Sequence, residues 1–182
     1  MYTKESIEKV INKLRERYKI GKYREEPFKV LITTILSQRT KDKATAVASE
    51  SLFRKYTNAY ALATAPLKKI ERIIKPVGFY RQKSRRIKEI ANILVDKYGG
   101  KVPMDFKALL SLPSVGRKTA NCVLAYGFSI PTIPVDTHVH KIANRLGIVE
   151  TSLPEETEKE LRKKIPKKYW LSINELFVEF GK

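Results

Sequence analysis

Apolar residues recur at three- and four-residue intervals along almost the whole of this sequence, and nowhere do they alternate every second residue for long enough to build a sheet. That pattern restricts the chain to an all-α fold. Ile7, Val10, Ile11, Leu14 and Tyr18 predict a first helix with Thr3 as its N-cap. Pro27 suits the first turn of a second, which carries Phe28, Leu31, Ile32 and Ile35. Asp42 reads as the N-cap of a third, with Ala44, Val47, Ala48, Leu52 and Phe53. Asn58 and Pro66 open two short helices. Over 82–98, Ile87, Ile90, Ala91, Leu94, Val95 and Tyr98 share one face, and Gly99-Gly100 stops them. Further helices are expected at about 105–111, 116–126, 137–146, 154–164 and 169–180, with Gly147 closing the one before it. The joins are short and no low-complexity linker divides the chain, so the helices should pack antiparallel or crossed.

The 182 residues are 42% hydrophobic, enough for the core of one domain or of two small lobes and too much for a disordered basic tail. Cys122 is the single cysteine, which excludes an internal disulfide framework and any site built from several thiolates of this chain. No apolar run approaches the roughly 20 residues of a membrane span, and Met1-Tyr2-Thr3-Lys4-Glu5 carries no secretory pattern. The expectation is a reduced, intracellular protein that does not enter a membrane. Its net charge of +18 asks for a polyanionic partner, of which nucleic acid is the commonest.

That charge is uneven. Between Leu67 and Lys118 stand fourteen basic residues against four acids, more than half the total surplus in less than a third of the chain. The acids collect instead at Glu150, Glu155, Glu156, Glu158 and Glu160. A single basic run is usually a solvated helix face; this asymmetry favours a basic stripe.

The chemistry concentrates between Leu112 and Val139. In Leu112-Pro113-Ser114-Val115-Gly116-Arg117-Lys118-Thr119-Ala120, Pro113 ends one helix and Gly116 can adopt angles that other residues avoid. The N–H groups opening the next helix lack intrahelical partners, so a phosphate could accept from them, with Arg117 and Lys118 adding charge. An ordinary corner with an exposed basic pair reads equally well. Val77-Gly78-Phe79-Tyr80-Arg81-Gln82-Lys83 resembles this stretch and is a candidate internal repeat. Asp136, in Val135-Asp136-Thr137-His138-Val139-His140, reads as an N-cap whose carboxylate could also face a cleft. The i, i+2 spacing of His138 and His140 sends them to different helix faces, so no metal site is expected there.

Together these segments resemble the endonuclease III branch of the helix–hairpin–helix DNA glycosylases. Leu112 to Asn121 and Val135 to Val139 carry the closest resemblance. Ile35-Leu36-Ser37-Gln38-Arg39-Thr40-Lys41-Asp42 resembles that family's early helix-end signature, and Val77-Gly78-Phe79-Tyr80 with Lys83 its second, looser hairpin. The spacing agrees from about Tyr18 to Lys182. Three motifs in order are more specific than one glycine hairpin, which many non-enzymatic DNA-binding proteins share.

The resemblance implies two helical lobes with a DNA-facing cleft: a six-helix barrel over 21–130, and a second lobe from 1–20 and 131–182. It implies base excision repair of oxidised or ring-damaged pyrimidines in duplex DNA, by a protein acting as a monomer in the cytoplasm and nucleoid or in a nucleus. Lys118 matches the catalytic lysine, whose amine attacks the sugar C1′, displaces the base and forms a Schiff base that permits β-elimination. Asp136 matches the catalytic aspartate, which stabilises the cationic sugar and assists proton transfer. The hairpin backbone around Val115 and Gly116 would hold phosphate, helped in the family by a monovalent cation on hairpin carbonyls, with Ser114, Arg117 and Thr119 also at the DNA. Arg39 and Phe79 stand where the family inserts wedges into the space left by the flipped nucleotide, with Gln38, Lys83 and His138 also on the DNA. Branches that release bases without nicking carry another residue in place of this lysine. A non-catalytic DNA-binding module and a monofunctional mismatch glycosylase remain the alternatives.

Three departures from the family stand out. Ser114 replaces a hairpin glycine, which a negative φ there would accommodate. Arg39 replaces a glutamine, adding charge where the opposite base is met. Members of this branch usually carry a four-cysteine iron–sulfur loop after the last helix, and this chain ends at Phe180-Gly181-Lys182, where that loop would begin. The expectation is a shortened chain with no cofactor of its own, a [4Fe–4S] cluster belonging to a longer native product.

Overall fold

A computed structural model describes residues 3–21 and 25–181. Met1, Tyr2 and Lys182, on which the expectations about the two chain ends partly rest, lie outside the described residues, as do residues 22–24 of the expected barrel. No strand occurs among the described residues.

The chain divides into two compact units, residues 25–123 and residues 1–24 with 124–182. The boundaries fall some residues away from those the resemblance implied. The second of them cuts a π-helical turn, Val123–Gly127, that continues directly from a helix.

Seven helices build the central unit: α2 (Pro27–Ser37), α3 (Asp42–Lys55), α4 (Ala59–Thr64), α5 (Leu67–Ile73), α6 (Tyr80–Tyr98), α7 (Phe106–Leu110) and α8 (Arg117–Cys122). The apolar α2 lies among α3, α6 and α8, and α6 packs against α4 and α5. Leu31, Ile32, Ile35, Leu36, Leu52, Ile70, Ile87, Ile90 and Leu94 are fully buried there. Their burial follows from the 3–4 spacing, which puts one apolar stripe of each helix on the core.

The other unit takes α1 (Lys4–Arg17) together with α9 (Thr137–Arg145), α10 (Pro154–Lys164) and α11 (Trp170–Phe180). α11 packs against both α1 and α9. Ile7, Ile11, Val139, Ala143, Leu161, Ile173 and Phe177 form its core.

Most helix ends lie where their capping residues placed them. Thr3, Asn58 and Asp136 each accept a backbone N–H from the first turn, and Gly99 and Gly147 close helices at positive φ. Asp42 is different. Lys41 holds the N-cap position of α3 and Asp42 is already helical, so its carboxylate serves the positive end of the helix dipole instead of capping it. The cap of α2 was not legible: Glu26 accepts from both Phe28 N–H and Lys29 N–H, a role that glutamate seldom fills.

Candidate functional site

Helix α2 ends in a turn, Gln38-Arg39-Thr40, in which Arg39 takes a left-handed φ of 51°. The approach to α6 holds Phe79 at φ 57°, with 61% of its surface exposed. The corner before α8 holds Ser114 at φ 61°. Non-glycine residues avoid this region because their Cβ crowds the backbone, at a cost of about 1–2 kcal/mol each. All three line one pocket of about 220 Å³, with Ile35, Gln38, Gln82, Lys83 and Arg86. Strain gathered around one pocket is how functional sites are commonly built.

A single ammonium ties two of these turns together. Lys83 is 7% exposed, and its Nζ donates to Leu36 O at 2.7 Å, to Thr40 Oγ1 at 2.9 Å and to Gln38 O. Thr40 Oγ1 also accepts from Gly78 N–H at 3.1 Å. A Cβ on Gly78 would stand 2.9 Å from Arg39 O, so only glycine lets the two turns approach. Burial lowers the Lys83 pKa from its ordinary value of 10.5. The expectation that Lys83 contacts DNA is therefore corrected: α6 turns it inward, and all three of its donors are spent. Thr40 and Gly78 close the brace, and no local sequence signal marks Thr40 for that task.

The hairpin before α8 also redistributes the expected roles. Ser114, not Gly116, carries the left-handed angle, and its φ is positive, not the negative one under which serine would replace glycine without strain. Gln38 Nε2 donates to Ser114 O at 3.1 Å and holds this corner to the α2 turn. Gly116 is extended, with φ −95° and ψ −178°, and a Cβ there would meet nothing within 4 Å. Neither conformation nor crowding in this chain demands glycine at 116. What glycine leaves is open space over the backbone at the start of α8, which no side chain caps.

Val115 and Thr119 are buried at 7% and 4% exposure, which removes their side chains from any DNA contact, and Val115 N–H is spent on Leu112 O. Arg117 stacks its guanidinium 5.1 Å over the Phe106 ring instead of standing free. The proposed repeat holds in one respect: Val77 N–H and Val115 N–H each donate three residues back. The left-handed residue precedes the valine in one copy and follows the glycine in the other, so the two corners are not superposable turns.

Lys118 is the second residue of α8 and half-buried. Its amine has no hydrogen bond or ion pair among the described residues. This contrasts with Lys83, whose three acceptors fix it in place. A half-buried amine without a partner is free to rotate toward an incoming electrophile.

In the other unit, Asp136 Oδ1 accepts from Val139 N–H at 2.8 Å and caps α9. Asn174 Nδ2 donates to Pro134 O at 2.9 Å, while Asn174 Oδ1 accepts from Tyr126 OH, and this fixes the strap that leads into Asp136. One carboxylate oxygen thus serves the helix, and the other has no protein donor among the described residues. His138 is exposed in the first turn of α9, whereas His140 Nδ1 lies 2.7 Å from Thr157 Oγ1.

No group of three or more His, Cys, Asp or Glu side chains is placed to hold a metal among the described residues. Cys122 is buried in α8. A four-thiolate iron–sulfur cluster has no ligand set in these 182 residues, whose single cysteine is Cys122. At the hairpin, Leu112 O accepts from Val115 N–H and Ser114 O from Gln38 Nε2. No helix among the described residues is long and apolar enough to cross a membrane.

Residues 32–167 match the model of the HhH-GPD superfamily base excision DNA repair proteins. The chain is 50% identical over 176 residues to endonuclease III of Thermotoga maritima, covering 97% of this chain and 83% of that one. It is 36% identical over 157 residues to endonuclease III of Bacillus subtilis, covering 86% and 72%. Among solved structures, a trapped endonuclease III–DNA covalent intermediate superposes with a TM-score of 0.90 at 35% identity, over 99% of this chain and 86% of that one. A thermostable thymine-DNA glycosylase shares the fold, with a TM-score of 0.85 at 22% identity over 98% and 85%.

Proposed function

This chain belongs to the HhH-GPD superfamily of base excision DNA repair proteins and is a DNA glycosylase with AP lyase activity, and we propose that it removes oxidised or ring-damaged pyrimidines from duplex DNA through Lys118. The observation that carries the assignment to Lys118 is its unpartnered, half-buried amine one residue into the helix behind the hairpin. Only a neutral amine carries the lone pair that attack on C1′ needs, so the reaction requires a proton acceptor for the attacking nitrogen.

Lys118 Nζ attacks C1′ of the damaged nucleotide as the C1′–N bond to the base breaks, and the base leaves with that electron pair and takes up a proton. The secondary amine then expels the ring oxygen to give an iminium at C1′. Loss of a C2′ proton expels the 3′ phosphate by β-elimination, and hydrolysis of the imine frees the lysine. Asp136, by the family resemblance, supplies the carboxylate that stabilises positive charge developing on the sugar and assists proton transfer. Phosphate lies over Gly116, where the backbone is bare. Arg39 and Phe79, held in strained turns at the pocket, fill the space that the flipped nucleotide vacates. The protein works as a monomer on duplex DNA carrying a damaged base or an abasic site.

Borohydride reduction on abasic-site DNA tests the assignment. A covalent adduct is expected with the wild type and not with Lys118→Gln. An adduct of equal yield in the variant would remove Lys118 from the chemistry.

A further inference from the structure

The sequence motif points to Lys83, but a helix that turns residue 83 inward leaves residues 81, 82 and 85 exposed, with residue 86 at the edge of the buried face. Arg81 and Arg85 are exposed, one turn apart, and Arg86 is partly so. With Gln82 and Glu89 they line an open groove of about 620 Å³. Gln82 and Arg86 also line the smaller pocket behind Phe79, so the groove continues that pocket along α6.

Its charge is one-sided. Glu89 is the single acid of the lining and is already paired with Arg86 at 2.9 Å. Arg81 rests 5.2 Å over the Tyr80 ring, which orders the side chain and leaves its charge unneutralised. Arg85 has no ion pair or hydrogen bond among the described residues. Two unneutralised guanidiniums one helical turn apart, about 6 Å by helix geometry, suit neighbouring phosphates of one strand. An apolar wedge, Phe79, stands immediately before this row in the chain.

We propose that the Arg81–Arg85 groove of α6 is a phosphodiester-binding subsite for duplex DNA, gripping the backbone beside the point where Phe79 enters the helix. It adds two phosphate contacts to those expected at the hairpin before α8, and it rests on the DNA-repair reading given above.

The test is the salt dependence of binding to a duplex with a tetrahydrofuran abasic analogue. Each phosphate neutralised contributes about 0.9 to the slope of log Kobs against log salt. Arg81→Gln/Arg85→Gln should flatten that slope by about 1.8. Arg81→Lys/Arg85→Lys, which keeps the charge, should restore it. Lys97→Gln/Lys101→Gln removes the same charge from exposed positions at and just beyond the far end of α6 and should leave the slope unchanged. An unchanged slope in the Arg81→Gln/Arg85→Gln variant overturns the subsite, as does an equal loss in the Lys97/Lys101 pair, which would mean only the overall field matters. Borohydride trapping by the wild type is read separately. Its failure speaks against the Lys118 chemistry and leaves the slope comparison intact.

Discussion

Lys83 Nζ donates to Thr40 Oγ1 at 2.9 Å, joining two turns that stand 43 residues apart in sequence. The same threonine oxygen accepts from Gly78 N–H, so one hydroxyl links the Arg39 turn to the Phe79 turn. Both exposed residues thereby keep backbone angles they would not hold alone.

Lys83→Met leaves Leu36 O, Gln38 O and Thr40 Oγ1 without their donor and should cost roughly 2 kcal/mol at pH 7. The direction of the pH dependence follows from linkage. The Lys83 pKa is lowered by burial, so between that lowered value and the ordinary 10.5 the unfolded chain binds more protons than the folded one. Stability contributed at this site rises with pH across that window and is lowest below it. Denaturant unfolding of wild type and variant at pH 8 and 10 should show the gap widening; a gap that narrows contradicts the assignment.

Two glycine substitutions should behave in opposite ways. Gly78→Ala sets a Cβ 2.9 Å from Arg39 O and should destabilise the fold by about 1–3 kcal/mol. Gly116→Ala meets nothing and should leave the unfolding midpoint unchanged. Its methyl occupies the space proposed for phosphate, so duplex affinity should fall about tenfold, near 1.4 kcal/mol. Thermal melts and fluorescence anisotropy separate the two effects.

Relieving the hairpin strain should stabilise the protein. Ser114→Gly removes a left-handed penalty of about 1–2 kcal/mol and incurs about 0.5–1 kcal/mol of added chain entropy in the unfolded state. A net gain of roughly 0.5–1 kcal/mol is expected in urea unfolding. Ser114→Ala keeps the Cβ and should give no gain.

Asp136 serves as a cap and, by the proposed mechanism, as a catalytic group. The Asp136→Asn side chain still offers an oxygen to Val139 N–H, so stability should hold while single-turnover cleavage drops about 100-fold or more. Asp136→Ala should lose the same activity and also about 1 kcal/mol of stability. Wild-type cleavage by Asp136→Asn would leave Asp136 only its structural role.

Much of the fold could be read in one dimension. The 3–4 spacing located the helices, and local residues such as Thr3, Asn58, Asp136 and Gly147 set most of their ends. Lys118 and Asp136 could be singled out because each sits in a contiguous motif. The errors share a cause. Lys83 and Thr119 lie inside motifs whose neighbours are exposed, and which residue faces the core depends on helix phase against partners distant in sequence. The sign of φ at Ser114 was hidden for the same reason: its strained angle is stabilised from outside, by Gln38 reaching across 76 residues.

The sequence by itself determined an all-helical chain, a basic stretch between Leu67 and Lys118, and the motifs that carry Lys118 and Asp136, because periodicity, composition and capping act over a few residues. Only the tertiary structure decided which lysine is a strut and which is free, and that three strained residues from separate corners surround one pocket. It also decided that α6 presents arginines instead of Lys83. Burial and hydrogen-bond partnership are properties of packed surfaces, and no segment of the chain carries them before the others arrive.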